Sequence, residues 1–472
     1  MWNAGRMDST KTEQLQGLLG ALPPLVASRL AKAIEIDRLS EGRSLPHELI
    51  LDGLRPVLRR GQSGDRAQTP LRLFCRPFED LLSMTPRKHK QKGRIARSSI
   101  MPVWNWISQT LTANAASEFS IGVKTSVLSG RTDDMMGHAA KFWTTASQAV
   151  LAALDTERGR KAARTVLESD LIVADAREMA LLMSVGNDIL DLQQKLPRPL
   201  PSLTDDFVWK LREIYDRLAV SAPEAAPYVA VIAMQRLERP WEALRLPMNV
   251  TRQSQDTLIS STDMGLVGEI LFGDIEYYTS MIRATRTSHF DADALVGYLV
   301  GFTALSSGMV KAIEMRRDGK WGQRLLSDRA DVAEVMDGFM ERAVKEVTAA
   351  LPTIKSGSYA GGPRMPDIAH HTDPEKSDRA LAYVRLVSGC RTFAPAASFG
   401  ASNKEAADEI SIMLRSYVED LLKELRTVAG DKRINAEAYF HLAVEMAALL
   451  FGQEEADLLR RRARAAIPAA AA

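Results

Sequence analysis

Apolar residues recur at spacings of three and four along most of this 472-residue chain, with little of the one-by-one alternation of a half-buried strand. Runs near 106–129, 137–167, 170–195, 204–220 and 225–239 carry the pattern, and others fall near 262–286, 291–316 and 328–350. Such a chain must bury helix faces against helix faces. The expected fold is all-α: a multi-helix body with a smaller C-terminal helical unit. No fixed period of about 20–50 residues recurs, which argues against a regular solenoid.

Proline, glycine and capping residues divide the chain. Pro23-Pro24 opens an early helix, and a further one over about 46–60 ends in Arg59-Arg60, where cations favour the C-terminal dipole. Asp8-Ser9-Thr10 suits a helix cap, so Met7 is an alternative start, and the stretch 61–70 has the composition of a loop. Leu196 to Ser202 reads as a rigid polyproline-type connector, with Thr204 capping the helix after it. Seven prolines and glycines within 352–378 mark the clearest boundary, after which Asp373-Pro374-Glu375 supplies cap, first-turn proline and acid for a closing unit. Four parts are expected: an N-terminal helical region 1–117, a central body 118–351, a linker 352–378 and a C-terminal helical unit 379–472. The alanine-rich end is expected to fray.

Hydrophobic residues at 46% and charged residues at 25% argue against disorder and against a multi-span membrane protein. Cys75 and Cys390 are too few for a disulfide framework or a four-thiolate zinc site and suit a reducing compartment. The N-terminus lacks the pattern of a secretory signal, so the expected location is cytoplasmic.

The net charge of +2 conceals a partition. Residues 55–117 hold twelve Lys/Arg against Asp65, Glu79 and Asp80, and 81–117 holds no acid at all. Within it, Arg87, Lys88, Lys90, Lys92, Arg94 and Arg97 place six cations in eleven positions, just before Trp104 and Trp106. Cations in that density attract phosphates by releasing counterions. Tryptophans beside them either stack on bases or sit at a lipid headgroup boundary. The competing account is a solvated basic loop leading into a core helix. The leading expectation is a non-catalytic binding protein that engages an anionic partner (nucleic acid, an anionic membrane surface or an acidic protein face) through 81–117.

Other clusters have plain structural explanations beside their chemical ones. Ala294–Val310 is uncharged and carries Gly297 and Gly301 as a small-xxx-small pair, but is shorter than the roughly 20 apolar residues of a span; a buried core helix is expected in preference to a membrane helix. Glu437, His441 and Glu445 lie on one helical stripe, and Asp134 and His138 share the same spacing; together they are candidate metal ligands, or else the wet edges of buried helices. Asp367, His370, His371 and Asp373 form a second cluster, read as a solvated hinge. Gly265, Gly268 and Gly273 do not match a dinucleotide fingerprint, and Gly319-Lys320-Trp321 is not a P-loop. No nucleophile elbow occurs, so no cofactor or specific small molecule is implied and catalysis is not expected. The alternatives are a helical scaffold or adaptor that binds proteins or its own copies, and a helical metal-dependent enzyme built on Glu437, His441 and Glu445.

Overall fold

The structure, a computed structural model, describes residues 68–466 apart from 85–88, 130 and 356–363, together with parts of 15–54. Met7, Arg87, Lys88, most of the 61–70 loop and the alanine-rich end therefore lie outside the described residues. The fold is all-α: among the described residues nineteen α-helices stand beside two short strand pairs.

Two compact units are present, and their boundaries do not follow chain order as the sequence suggests. One comprises Met1–Cys75 and Ala113–Phe142, the other Arg76–Thr112 and Trp143–Ala472. In the first unit Leu19, Ala27 and Leu54 pack together with Leu30 and Ile50. Phe119 stacks on Phe142 at 4.5 Å between ring centres, and Phe74 meets Phe142 edge-on.

In the second unit the long helices Leu266–Ala284, Ala292–Ala312, Lys320–Ala350, Pro374–Cys390, Gly400–Glu424 and Asp431–Phe451 pack side by side. Several expected runs are broken where a special residue intervenes. The 137–167 run splits at Thr156, whose hydroxyl caps Gly159 N–H, and Gly452, which has φ +97°, separates Asp431–Phe451 from Gln453–Ala466. Thr204 occupies the expected cap position, but its side chain makes no capping bond. Asp373 does cap, accepting from the Glu375 and Lys376 amides.

Close aromatic–glycine contacts join elements within the second unit. Trp321 lies over Gly268, Trp241 over Gly308, Tyr278 over Gly301 and Trp143 over Gly186. A Cβ added at Gly268 would lie 2.2 Å from the Trp321 ring, so this helix glycine serves packing. Of the expected small-residue pair, Gly301 meets Tyr278, whereas a Cβ at Gly297 would meet nothing within 4 Å.

The described residues of 352–378 form a short strand pair and bonds to a later helix. Thr353–Lys355 pairs antiparallel with Arg364–Pro366, and Asn435 and Tyr439 donate to the carbonyls of Ile368 and His371. Those bonds fasten the segment to the Asp431–Phe451 helix.

Two helices are long and apolar enough to cross a membrane, Ala292–Ala312 and Asp431–Phe451, with 44% and 56% of their most apolar windows buried inside the protein. In the first, Leu295, Leu299, Phe302, Ser306 and Met309 face the core, as expected of a core helix.

An ion-pair ladder joins Leu266–Ala284 to Lys320–Ala350. Lys320 and Arg324 pair with Glu269, Arg324 with Glu276, and Arg283 with Asp331. Burial works to raise the Glu269 pKa, but hydrogen bonds from Trp321, Lys320 and Arg324 outweigh it and hold the carboxyl low. Asp328 sits in this ladder with a buried Oδ2 that has no partner. Burial, with Glu276 and Asp331 adding repulsion and Arg324 opposing them, pushes its pKa up to about 6. The folded state therefore holds the Asp328 proton more tightly than the unfolded chain. The penalty is absent below the unfolded pKa of about 3.9, grows as pH rises, and is complete above about 6. Asp328→Asn is expected to stabilise the protein by about 1 kcal/mol above pH 6.5, after discounting for partial exposure. That gain should vanish below pH 4, as read from paired thermal melts.

Candidate functional site

Around the cationic segment, Leu82–Ser83 pairs in parallel with Ile95–Ala96. Gly93 lies in the left-handed region at φ +84°, and a Cβ there would also fall 2.3 Å from Ile270. The turn at Gly93 carries Lys90 and Arg94 inward, between the helices Asp170–Ser184, Tyr228–Arg236 and Leu266–Ala284.

Lys90 is held from three sides. Its ammonium donates to Asp175 Oδ1 at 2.5 Å, to the Arg94 carbonyl at 2.6 Å and to Glu178 Oε2. An ammonium has three hydrogens, and three acceptors meet them. The carboxylates are equally occupied. Glu178 Oε1 accepts from the Gly93 amide at 2.6 Å and the Tyr228 hydroxyl at 2.5 Å. Asp175 Oδ2 accepts from the Ser99 hydroxyl and the Ala96 amide. Asp175 is 3% exposed and Glu178 5%, so both charges depend on Lys90 for compensation. Burial, with Glu178 beside it, raises the Tyr228 hydroxyl pKa and keeps that group a donor.

Arg94 extends the clamp. It donates to Asp274 at 2.5 Å and to Gln235 at 2.6 Å. Gln91 reaches the Glu269 and Ile270 carbonyls and lies against Gly273. The Lys92 side chain is exposed, with its ammonium 5.7 Å from the Tyr228 ring centre.

A second buried cluster fixes the start of the same segment. Asp80, with a fully buried carboxylate, accepts from Arg236 at 3.0 Å, and from Gln193 and Arg198 at 3.1 Å. Arg236 also donates to the Gln193 and Leu196 carbonyls.

These contacts correct the expected binding strip. Lys90 and Arg94 do not project into water; carboxylates from later helices hold them. Trp106 is 5% exposed and faces the core, and Trp104 is half-buried, which leaves little aromatic surface for stacking or lipid contact. Of the six cations, Lys92 and Arg97 are the exposed ones among the described residues. The sequence reading missed Asp175 and Glu178, although a signal exists: with Leu171 and Leu182 they continue one helical stripe, two acids in an otherwise apolar line.

The candidate metal ligands are not drawn together. Glu437 takes the Arg433 guanidinium at 3.1 Å, while His441 and Glu445 are exposed on the outer edge of their helix. Asp134 lies within 3.8 Å of Arg131, and His138 rests on Gly122. Among the described residues no group of three or more His, Cys, Asp or Glu could hold a metal ion. Cys390 is buried, which pushes its thiol up to about 12, and Cys75 is half-buried; neither forms a disulfide.

Comparison with family models, curated proteins and solved structures finds no match for this chain.

Proposed function

We propose that the chain is a non-catalytic, cytoplasmic helical scaffold that joins copies of itself through the outer face of its Ala292–Ala312 helix. The observation that carries this is the face's composition and symmetry. Asp293, Gly297, Val300, Ala304 and Lys311 are exposed and Ser307 is half-buried, and together they form one stripe along the helix. The stripe is palindromic about residue 302: Asp293 mirrors Lys311, Gly297 mirrors Ser307, and Val300 mirrors Ala304. Two copies laid antiparallel would set small residues against one another at the centre and an acid against a base at each end. This is the self-complementarity an isologous interface requires. The open Cβ position at Gly297 permits close backbone approach. Within one chain Asp293 pairs with the partly exposed Arg385 at 3.5 Å.

An anionic partner at 81–117 is the weaker reading, since Lys90 and Arg94 are occupied internally. Sedimentation over a concentration series tests the scaffold. Wild type is expected to dimerise, and Ala304→Glu to weaken the dimer at least about tenfold by burying a charge at its centre. Asp293→Lys is expected to weaken it less, and Asp293→Lys with Lys311→Asp to restore it. A chain that stays monomeric up to its solubility limit would refute the reading.

A further inference from the structure

Between the helices Lys320–Ala350 and Gly400–Glu424 runs a groove of about 460 Å³. Met340, Val344 and Ala406 give it an apolar floor, and Ser402 lines it while donating to Asp337. Its rim carries Glu341, Glu405 and Glu409, all exposed, with Lys345 as the cation of the lining. Glu405 and Glu409 stand one helical turn apart, a spacing at which like charges repel. Among the described residues the ion pairs of these two helices involve other acids, such as Glu346 and Glu419, and none involves these three glutamates.

The C-terminal helix Gln453–Ala466 carries the converse surface. Ala456, Leu459, Ala463 and Ala466 are buried on its inner side, and Arg462 pairs with Glu419 at 2.7 Å, which fixes the helix on its own chain. That packing turns Leu458, Arg461 and Arg464 outward on one side of the helix. Leu458 is 43% exposed, and among the described residues no ion pair involves Arg461 or Arg464. The face presents an aliphatic side chain and two uncompensated guanidiniums, which match an apolar floor with an acidic rim. None of the three lines the groove of its own chain.

We propose that the Leu458, Arg461 and Arg464 face of one copy docks in the groove at Glu341, Glu405 and Glu409 of a second copy. A phosphate-bearing partner would meet the arginines but leave the glutamates of the groove unpaired. The two surfaces are different parts of the chain, so the contact is heterologous: it leaves one copy with a free groove and the other with a free helix. It extends an assembly, where the symmetric contact through Ala292–Ala312 closes one, and it does not depend on that contact.

Sedimentation of the full chain carrying Ala304→Glu, which disables the symmetric contact, tests the docking. Association that grows with concentration and weakens with added salt is expected. Glu405→Arg with Glu409→Arg, and separately Arg461→Glu with Arg464→Glu, should each weaken it at least about tenfold, because like charges then face one another. All four positions are exposed, so both variants should keep the melting temperature of their parent within a few degrees. An equal mixture of the two variants should associate again, since opposite charges meet wherever one variant touches the other. A parent chain that stays monomeric, variants that associate as well as the parent, or a mixture that stays dissociated would overturn the docking. A dimer formed by the chain without Ala304→Glu would in that event leave the symmetric contact standing.

Discussion

Replacing Lys90 with methionine is expected to destabilise the protein by about 3–5 kcal/mol, far more than any change at an exposed cation of the same segment. Methionine keeps the length of the side chain and removes its charge. Asp175 and Glu178 then remain almost fully buried, facing each other's negative charge, with only amide and hydroxyl donors left. The Arg94 carbonyl also loses its lysine donor. Arg97→Gln is the matched control: Arg97 is exposed, and its loss should change stability by no more than about 0.5 kcal/mol. Denaturant midpoints of the two variants give the comparison. Similar midpoints would mean that the clamp has little energetic weight. The triple variant Lys90→Met, Asp175→Asn, Glu178→Gln should recover part of the loss, because removing buried charges together is less damaging than stranding them.

Asp80→Ala is expected to cost a similar amount, about 3–5 kcal/mol, for the opposite sign of charge. The Arg236 side chain is 7% exposed, and its donors to the Gln193 and Leu196 carbonyls do not neutralise it. Arg198 is 59% exposed and contributes little, since water already solvates it. The effects of Asp80→Ala and Arg236→Ala should therefore not add. The double variant is expected to fall short of their sum by about 1–3 kcal/mol, and strict additivity in urea melts would show that the two groups are not coupled.

The all-α architecture is legible from spacing alone, because a three-and-four pattern leaves a helix as the conformation that buries its apolar residues. The Asp373-Pro374-Glu375 start and the helix over 294–310 are found for the same local reasons. Helix breaks are harder to read. The 106–129 run looks continuous, yet the chain forms Ile100–Trp106, a π-helical turn over Ile107–Leu111, and then Ala113–Ser129. The division into two units is also invisible in the sequence, because each unit is assembled from segments far apart in the chain.

The cationic segment shows why charge counts mislead. Its basic residues are local in sequence, while Asp175, Glu178 and Asp274, which hold Lys90 and Arg94, lie about 80–180 residues away. A charge tally over a window registers the first fact and misses the second. Glycine is the other clue that appears only in three dimensions: Gly93 and Gly273 make the space that lets Gln91 and the loop close on the Leu266–Ala284 helix. What an isolated basic loop would offer to a phosphate, the fold here offers to its own carboxylates.

Reductive methylation of the native protein, read lysine by lysine by mass spectrometry, tests this account most directly. Lys92 should be modified rapidly and Lys90 protected until the protein is unfolded, since all three Lys90 hydrogens are engaged in the interior. Modification of Lys90 at the rate of Lys92 would mean that the ammonium stands in water, and the internal clamp would have to be given up.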